Sequence, residues 1–208
     1  MKLFYSAGTC SLAAHIVARE AGIALDLERV DIRKTPHLTA SGEDFSQINP
    51  KGYVPVLQLE DGSLLSEGAA IVQYLADLKP ESGLAPPAGT VDRYRLQSWL
   101  NFIASELHKM YSPWLFHAEY GAAVQQIARD KIAQRLAFVE NHLFEQGPFL
   151  MGDRFTAADA YLFTIVGWSS FAKVDLTFFP SLRAFIEQVG RRPKVQETLA
   201  AERMKPAA

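Results

Sequence analysis

The spacing of apolar residues changes character a little over a third of the way along the chain. Before residue 80, short apolar runs of strand length alternate with stretches spaced for a helix. Lys2-Leu3-Phe4-Tyr5 predicts a strand, and Ser11 to Ala21 a helix closed by Gly22. Leu25 to Asp31 predicts a second strand, with Leu25 and Leu27 alternating into a Val30-Asp31-Ile32 end. Arg33 to Ile48 is polar and carries Pro36 and Gly42, which predicts a loop with at most a short helix. Val56 to Glu60 predicts a strand, and Asp61-Gly62 a tight hairpin turn into Ser63-Leu64-Leu65. Gly68 to Leu78 then sets Ala70, Ile71, Tyr74, Leu75 and Leu78 on one helical face. The order β-α-β-(α)-β-β-α describes an α/β unit.

Lys79 to Ala88 interrupts this with Pro80, Gly83, Pro86 and Pro87, a linker composition. Beyond it no strand pattern recurs. Helical periodicity runs from Val91 to Tyr111, Ala122 to Phe144, Thr156 to Phe171 and Pro180 to Gly190, with turns such as Gln146-Gly147-Pro148 and Arg192-Pro193 between or after them. Three segments are expected: an α/β domain over 1–80, a linker over 81–88 and an all-helical domain over 89–208.

Composition narrows the function classes. With 208 residues, 49% apolar and 21% charged, the chain can bury a globular core in one large domain or two small ones. A formal charge of −2 gives no electrostatic reason to expect nucleic acid or an anionic membrane as partner. No apolar stretch nears the ~20 residues of a membrane span, and the start lacks a secretory h-region. One cysteine excludes an internal disulfide framework. A soluble cytoplasmic protein is expected.

That cysteine, Cys10, follows the turn Ser6-Ala7-Gly8-Thr9 and directly precedes the first helix. Unpaired N–H groups and the positive end of the helix dipole favour a thiolate there. A pKa lowered from ~8.5 to ~7 would raise the thiolate fraction at neutral pH from about 3% to about half. A lone cysteine is equally a small buried hydrophobe. Position 13 is Ala13, so no resolving thiol stands nearby, and redox or transfer chemistry must borrow an external one. Ser11 is placed to cap the helix or donate to a neighbouring sulfur.

Three further constellations stand out. In Asn49-Pro50-Lys51-Gly52-Tyr53-Val54-Pro55, a cis Val54–Pro55 bond would turn the Val54 backbone toward an extended peptide. Ser66-Glu67-Gly68 opens a helix whose N–H groups suit a carboxylate, with Glu67 placed for an amine. Asn101, Ser105 and His108 fall at i, i+4 and i+7, one helical stripe from which His108 could support a thiolate or move a proton. The remaining histidines lack metal-ligand spacing, so no metal is expected. Thr156 with Asp159 reads as a capping-box variant.

Together with Met1-Lys2-Leu3-Phe4-Tyr5, Gly8-Thr9-Cys10-Ser11-Leu12, Glu67 to Asp77, Glu106-Leu107-His108-Lys109 and Arg154 to Tyr161, this ordered set resembles the bacterial beta-class glutathione transferases over essentially the whole chain. The resemblance implies a thioredoxin-like N-terminal domain, a helical C-terminal domain, a homodimer, glutathione as co-substrate and no permanent cofactor. It implies catalytic roles for Cys10 and His108. Cys10, Ser11, Lys34, Thr35, Val54, Pro55, Glu67, Gly68, Asn101, Ser105, Glu106 and His108 would contact glutathione, some of them across the dimer interface. The implied activity is conjugation of glutathione to small electrophiles, with a mixed disulfide through Cys10. A dehalogenase or isomerase of aromatic degradation, or a non-catalytic binding protein on the same fold, are the alternatives; Tyr111, Trp114 and Phe116 bear on the choice. The chain departs from the family at Tyr53, generally Gln, and at Arg33-Lys34-Thr35-Pro36, where the family often has a glutathione-contacting lysine.

Overall fold

The architecture is described over residues 1–202 of a computed structural model. Its sheet is built on β1 (Lys2–Tyr5), which pairs in parallel with β2 (Asp26–Asp31) and antiparallel with β4 (Val56–Gln58). β5 (Leu64–Ser66) completes the Asp61-Gly62 hairpin against β4, and β3 (Leu38–Thr39) flanks β2, giving the order β3-β2-β1-β4-β5. Alternation along β1 and β4 assigns the two faces. Leu3 and Leu57 join the large core beneath α1 (Ser11–Glu20) and α3 (Gly68–Asp77), while Phe4 and Val56 meet Val30 and Phe45 on the face of α2 (Phe45–Ile48).

The helical half consists of α4 (Val91–Phe102), α5 (Lys109–Tyr111), α6 (Gly121–Gln146), α7 (Ala157–Val166), α8 (Ser169–Ala172), α9 (Pro180–Gly190) and α10 (Pro193–Ala201). Every residue of α7 is buried, as expected for a helix that is apolar all round. It packs against α1, so one apolar cluster takes in Leu12 and Ile16, Ile71 and Leu75, and Leu162 and Ile165. Asp159 fixes its start: Oδ2 accepts from Thr156 N and Oγ1 at 2.8 and 2.7 Å, and Oδ1 from Leu150 N at 2.8 Å, as the capping-box reading requires.

Four expectations change. The polar stretch 33–48 holds a two-residue strand, β3, besides its short helix. The run from Val91 to Tyr111 is helical throughout, but Ile103–His108 is a π-helix. The helix expected over 156–171 breaks at Gly167-Trp168. Pro193, read as a stop, opens α10, a proline at N1 being compatible with a helix start. The proline-rich stretch after α3 is also tied down: Ala157 N donates to Leu84 O at 2.9 Å, and Arg93 pairs with Asp77 and donates to Pro86 O. Residues 203–208 of the expected helical domain lie outside the described residues.

Candidate active site

Cys10 closes the turn after β1 and flanks α1, in right-handed conformation and without capping its own helix. Its Sγ–H donates to the Val54 carbonyl at 3.3 Å. The Val54–Pro55 bond is cis, as read from the sequence. Gly68 opens α3 directly behind that proline; a Cβ there would meet Pro55 Cγ at 3.8 Å. Cys10 thus meets the loop before β4, and that loop in turn meets the start of α3.

The expected thiolate is corrected by this geometry. Burial pushes the Cys10 thiol up to about 12, outweighing its own backbone N–H, the Lys109 ammonium and the Ser11 N–H, which pull it down. Glu67 acts with burial. The helix start is present, but desolvation is the larger effect. Ser11 is likewise turned inward: its Oγ donates to Ser6 O at 3.1 Å, accepts from Ser6 N at 3.2 Å and lies 2.8 Å from Thr9 Oγ1. It holds the turn and does not point at the sulfur.

Glu67 adopts φ 72°, a left-handed backbone rare outside glycine. Its carboxylate receives Lys51 Nζ at 2.7 Å, and the same ammonium donates to Ser66 Oγ at 3.1 Å. Ser66 therefore does not cap α3, whose first turn has no side-chain cap.

From the helical wall comes His108. Its Nδ1 lies 2.8 Å from Tyr161 Oη, and its ring meets Trp168 edge-on at 5.1 Å. Burial, helped by Lys109, lowers the imidazole to about 4, so it is neutral at pH 7 and supplies no positive charge to a thiolate. Tyr161 is pushed up, chiefly by burial, and stays protonated. The stripe expected for Asn101, Ser105 and His108 is broken by the π segment: Asn101 and Ser105 stay exposed while His108 turns in. Ser105 Oγ donates to Asn101 O at 2.9 Å, and Glu106 receives Arg135 Nε at 2.9 Å. Lys34 and Thr35 are exposed beyond β2, and Lys34 lines a groove of about 540 Å³ with Ser6, Ala7, Arg29 and Arg33.

Several contacts at the site carried no sequence signal. Lys109 Nζ stands 5.4 Å from the Tyr53 ring centroid, joining the helical wall to the loop before Pro55. Trp168 Nε1 donates to Gly8 O at 2.9 Å, and Gly8 N donates to Glu202 Oε2 at 3.4 Å, so the turn before Cys10 is held from the far end of the chain. Glu202 Oε1 in turn accepts from His15 Nδ1 at 2.9 Å, while His15 Nε2 accepts from Arg19 Nε at 3.1 Å. An aromatic chain leads outward from His108 through Trp168 to Phe116 and Phe171, with centroids 5.3 and 5.7 Å apart in the last two steps. Phe116 and Phe171 are exposed, whereas Tyr111 is fully buried and 2.6 Å from Ser169 Oγ, so it belongs to the core.

Known proteins resemble this chain through both of its halves. The family model for the glutathione S-transferase N-terminal domain matches residues 7–78, and that for the C-terminal domain matches residues 98–193. A glutathione S-transferase of Escherichia coli O157:H7 is 42% identical over 205 residues, covering 99% of this chain and all of the relative. The ternary complex of the bacterial transferase BphK superposes with a TM-score of 0.94 at 48% identity, over 98% of this chain and all of that one. The beta-class transferase of Sphingomonas chungbukensis superposes with a TM-score of 0.91 at 40% identity, over 97% and 98% of the two chains. Likeness that runs through both halves at this level leaves one family: the chain belongs to the glutathione S-transferases, in their bacterial beta class, and glutathione is its co-substrate.

Proposed function

We propose that the reacting sulfur is that of bound glutathione, held against Cys10, and that Cys10 serves it as a neutral thiol. The observation that carries this reading is the Cys10 Sγ–H donating to Val54 O at 3.3 Å in a site that pushes the thiol up to about 12. Such a group is a hydrogen-bond donor at neutral pH and a poor nucleophile. Glutathione's thiol, near ~8.5 when unperturbed, is the more acidic of the two. On binding, the Cys10 S–H turns from Val54 O, which the glutathione backbone then takes, to the thiolate, which would also meet a His108 N–H and the Lys109 ammonium. Neutral His108 lies 2.8 Å by Nδ1 from the protonated Tyr161 hydroxyl, and we assign Tyr161 as the donor, which puts the imidazole proton on Nε2.

The rest of glutathione follows from the same groups. Its backbone pairs with Val54 beside Pro55, its ammonium replaces Lys51 on Glu67, and its α-carboxylate takes the uncapped N–H groups from Gly68 onward. Lys34 and Thr35 serve its glycine end. The acceptor rests on the aromatic wall of Trp168, Phe116 and Phe171, which favours an apolar, ring-bearing electrophile. The thiolate sulfur forms a bond to the electrophilic carbon, and the leaving group departs with its electron pair. A mixed disulfide at Cys10 needs that thiol deprotonated first, so it forms slowly at neutral pH. Exposed Asn101 and Ser105, with half-exposed Glu106, act across a homodimer interface.

The test is the pH dependence of Cys10 alkylation by iodoacetamide in the glutathione-free enzyme, with Cys10→Ala as the blank. The expected midpoint lies well above ~8.5. Cys10→Ala should lower conjugation about ten- to a hundredfold, the weight of one hydrogen bond to a charged group. An alkylation midpoint near neutrality overturns the reading and makes Cys10 itself the nucleophile.

A further inference from the structure

We propose that Tyr53 is a positioning residue that holds the Lys109 ammonium over the mouth of the cleft, where it stabilises the bound glutathione thiolate. The proposal rests on the reading that this thiolate lies against Cys10. The two residues come from opposite walls. Tyr53 ends the loop that supplies Val54 and Pro55, and Lys109 follows His108 at the end of the π segment. Lys109 Nζ stands 5.4 Å from the Tyr53 ring centroid, within the range of a cation–π contact.

Each partner lacks a competing tie. The Tyr53 backbone is fixed, its carbonyl accepting from Asn49 Nδ2 at 2.7 Å, but its ring is 68% exposed and belongs to no core cluster. Lys109 makes no ion pair among the described residues, whereas Lys51, the other lysine of the cleft, is engaged by Glu67 at 2.7 Å. A free lysine at a rim would spread over many rotamers in water. The ring selects those that lean across the cleft.

Charge gives that orientation its consequence. Lys109 is the cation that pulls the Cys10 thiol down, and Glu67 the anion that opposes it. Lys51, the other cation of this face, is directed at Glu67 and Ser66, and His108 and Tyr161 are neutral at pH 7. A sulfur anion held against Cys10 therefore depends on where the Lys109 ammonium points.

The experiment titrates the ultraviolet absorbance of the thiolate of glutathione bound to the enzyme, alongside kcat/KM for conjugation. It compares wild type with Tyr53→Phe, Tyr53→Leu, Lys109→Met and the double variant. The wild-type thiol is expected to titrate below ~8.5. Tyr53→Phe keeps the ring face and should match it. Tyr53→Leu should raise the apparent pKa so that the thiolate fraction and kcat/KM at low pH fall about two- to fivefold, with KM for glutathione unchanged. Lys109→Met should raise it further, and adding Tyr53→Leu to it should change nothing more. Tyr53→Leu titrating like wild type, or changing only KM, overturns the role of Tyr53. So does Tyr53→Phe behaving like Tyr53→Leu. A wild-type bound thiol that titrates at its ordinary value overturns the thiolate reading as well, which separates the two failures.

Discussion

His108, half-buried, and Asp159, fully buried, are two ionisable groups whose surroundings move them in opposite directions. Burial lowers His108 from 6.5 to about 4 and raises Asp159 from 3.8 to about 6, where its three hydrogen bonds still hold it ionised at pH 7. The signs follow from proton counting. Between pH 6.5 and 4 the unfolded chain binds a proton at His108 that the folded one refuses, so this group's stability is present above 6.5 and lost as pH falls toward 4. Between pH 3.8 and 6 the folded chain holds a proton at Asp159 that the unfolded one has released, so stability falls as pH rises through that window. Wild type should therefore show a flattened profile over pH 4 to 6. His108→Gln keeps a partner for Tyr161 but cannot titrate. Relative to it, wild type should lose most of roughly 3 kcal/mol between pH 6.5 and 4.5, measured by denaturant unfolding. A difference that does not change with pH would show that His108 is not held neutral by the fold. Tyr161, which makes this burial possible, is 53 residues from His108, and no local pattern announces it.

The π segment does at the level of an element what composition could not disclose. Ile103, Leu107 and Tyr111 are all fully buried at a spacing of four. In an α-helix, positions four apart drift by about 40° per step, so the wider turn keeps this row facing the core while it rotates His108 away from Asn101. Deleting Ala104 should restore the α register, preserve far-ultraviolet dichroism and lower conjugation about a hundredfold through misplacement of His108. A deletion variant of near wild-type activity would show that the segment does not place that residue. Elements with their own punctuation were readable: the Asp61-Gly62 hairpin, the α3 face, the Thr156–Asp159 cap. Those that failed depend on distant partners. β3 exists by pairing with β2, and α7 ends at Gly167, after which Trp168 reaches Gly8 in the first turn of the chain. The same holds at the site. Cys10, Val54 and Glu67 sit at strand and helix ends that the sequence marks, but the balance at the Cys10 thiol between helix start and desolvation depends on how the assembled walls enclose it.

At the scale of the whole molecule, the faces of α3 and α4 are joined to each other and left open outward. Arg93 pairs with Asp77, and Gln97 Nε2 donates to Gln73 Oε1 at 3.0 Å, which locks the two helices side by side. Leu64 at the start of β5, Leu78 at the end of α3, and Val91 and Tyr94 on α4 are exposed, Val91 and Tyr94 by 67% and 62%. Isolated exposed apolar residues are ordinary, but a homodimer contact at the α3 and α4 end would cover these four. Farther along α4 and its π extension lie Asn101 and Ser105, exposed and unconnected to the Cys10 cluster of their own chain. A second copy docked on this face would give both features a use. In a twofold dimer every substitution acts twice, because each copy presents the same patch to the other. If Tyr94 anchors the contact at about 2 kcal/mol per copy, Tyr94→Glu should weaken dimerisation by about 4 kcal/mol, roughly a thousandfold in Kd. Light scattering at micromolar concentration should give twice the chain mass for wild type and the single-chain mass for Tyr94→Glu. Its glutathione affinity should fall as well, since Asn101, Ser105 and Glu106 would no longer reach the neighbouring cleft. A wild-type monomer that conjugates glutathione at full rate would remove the interface and return those three residues to plain surface.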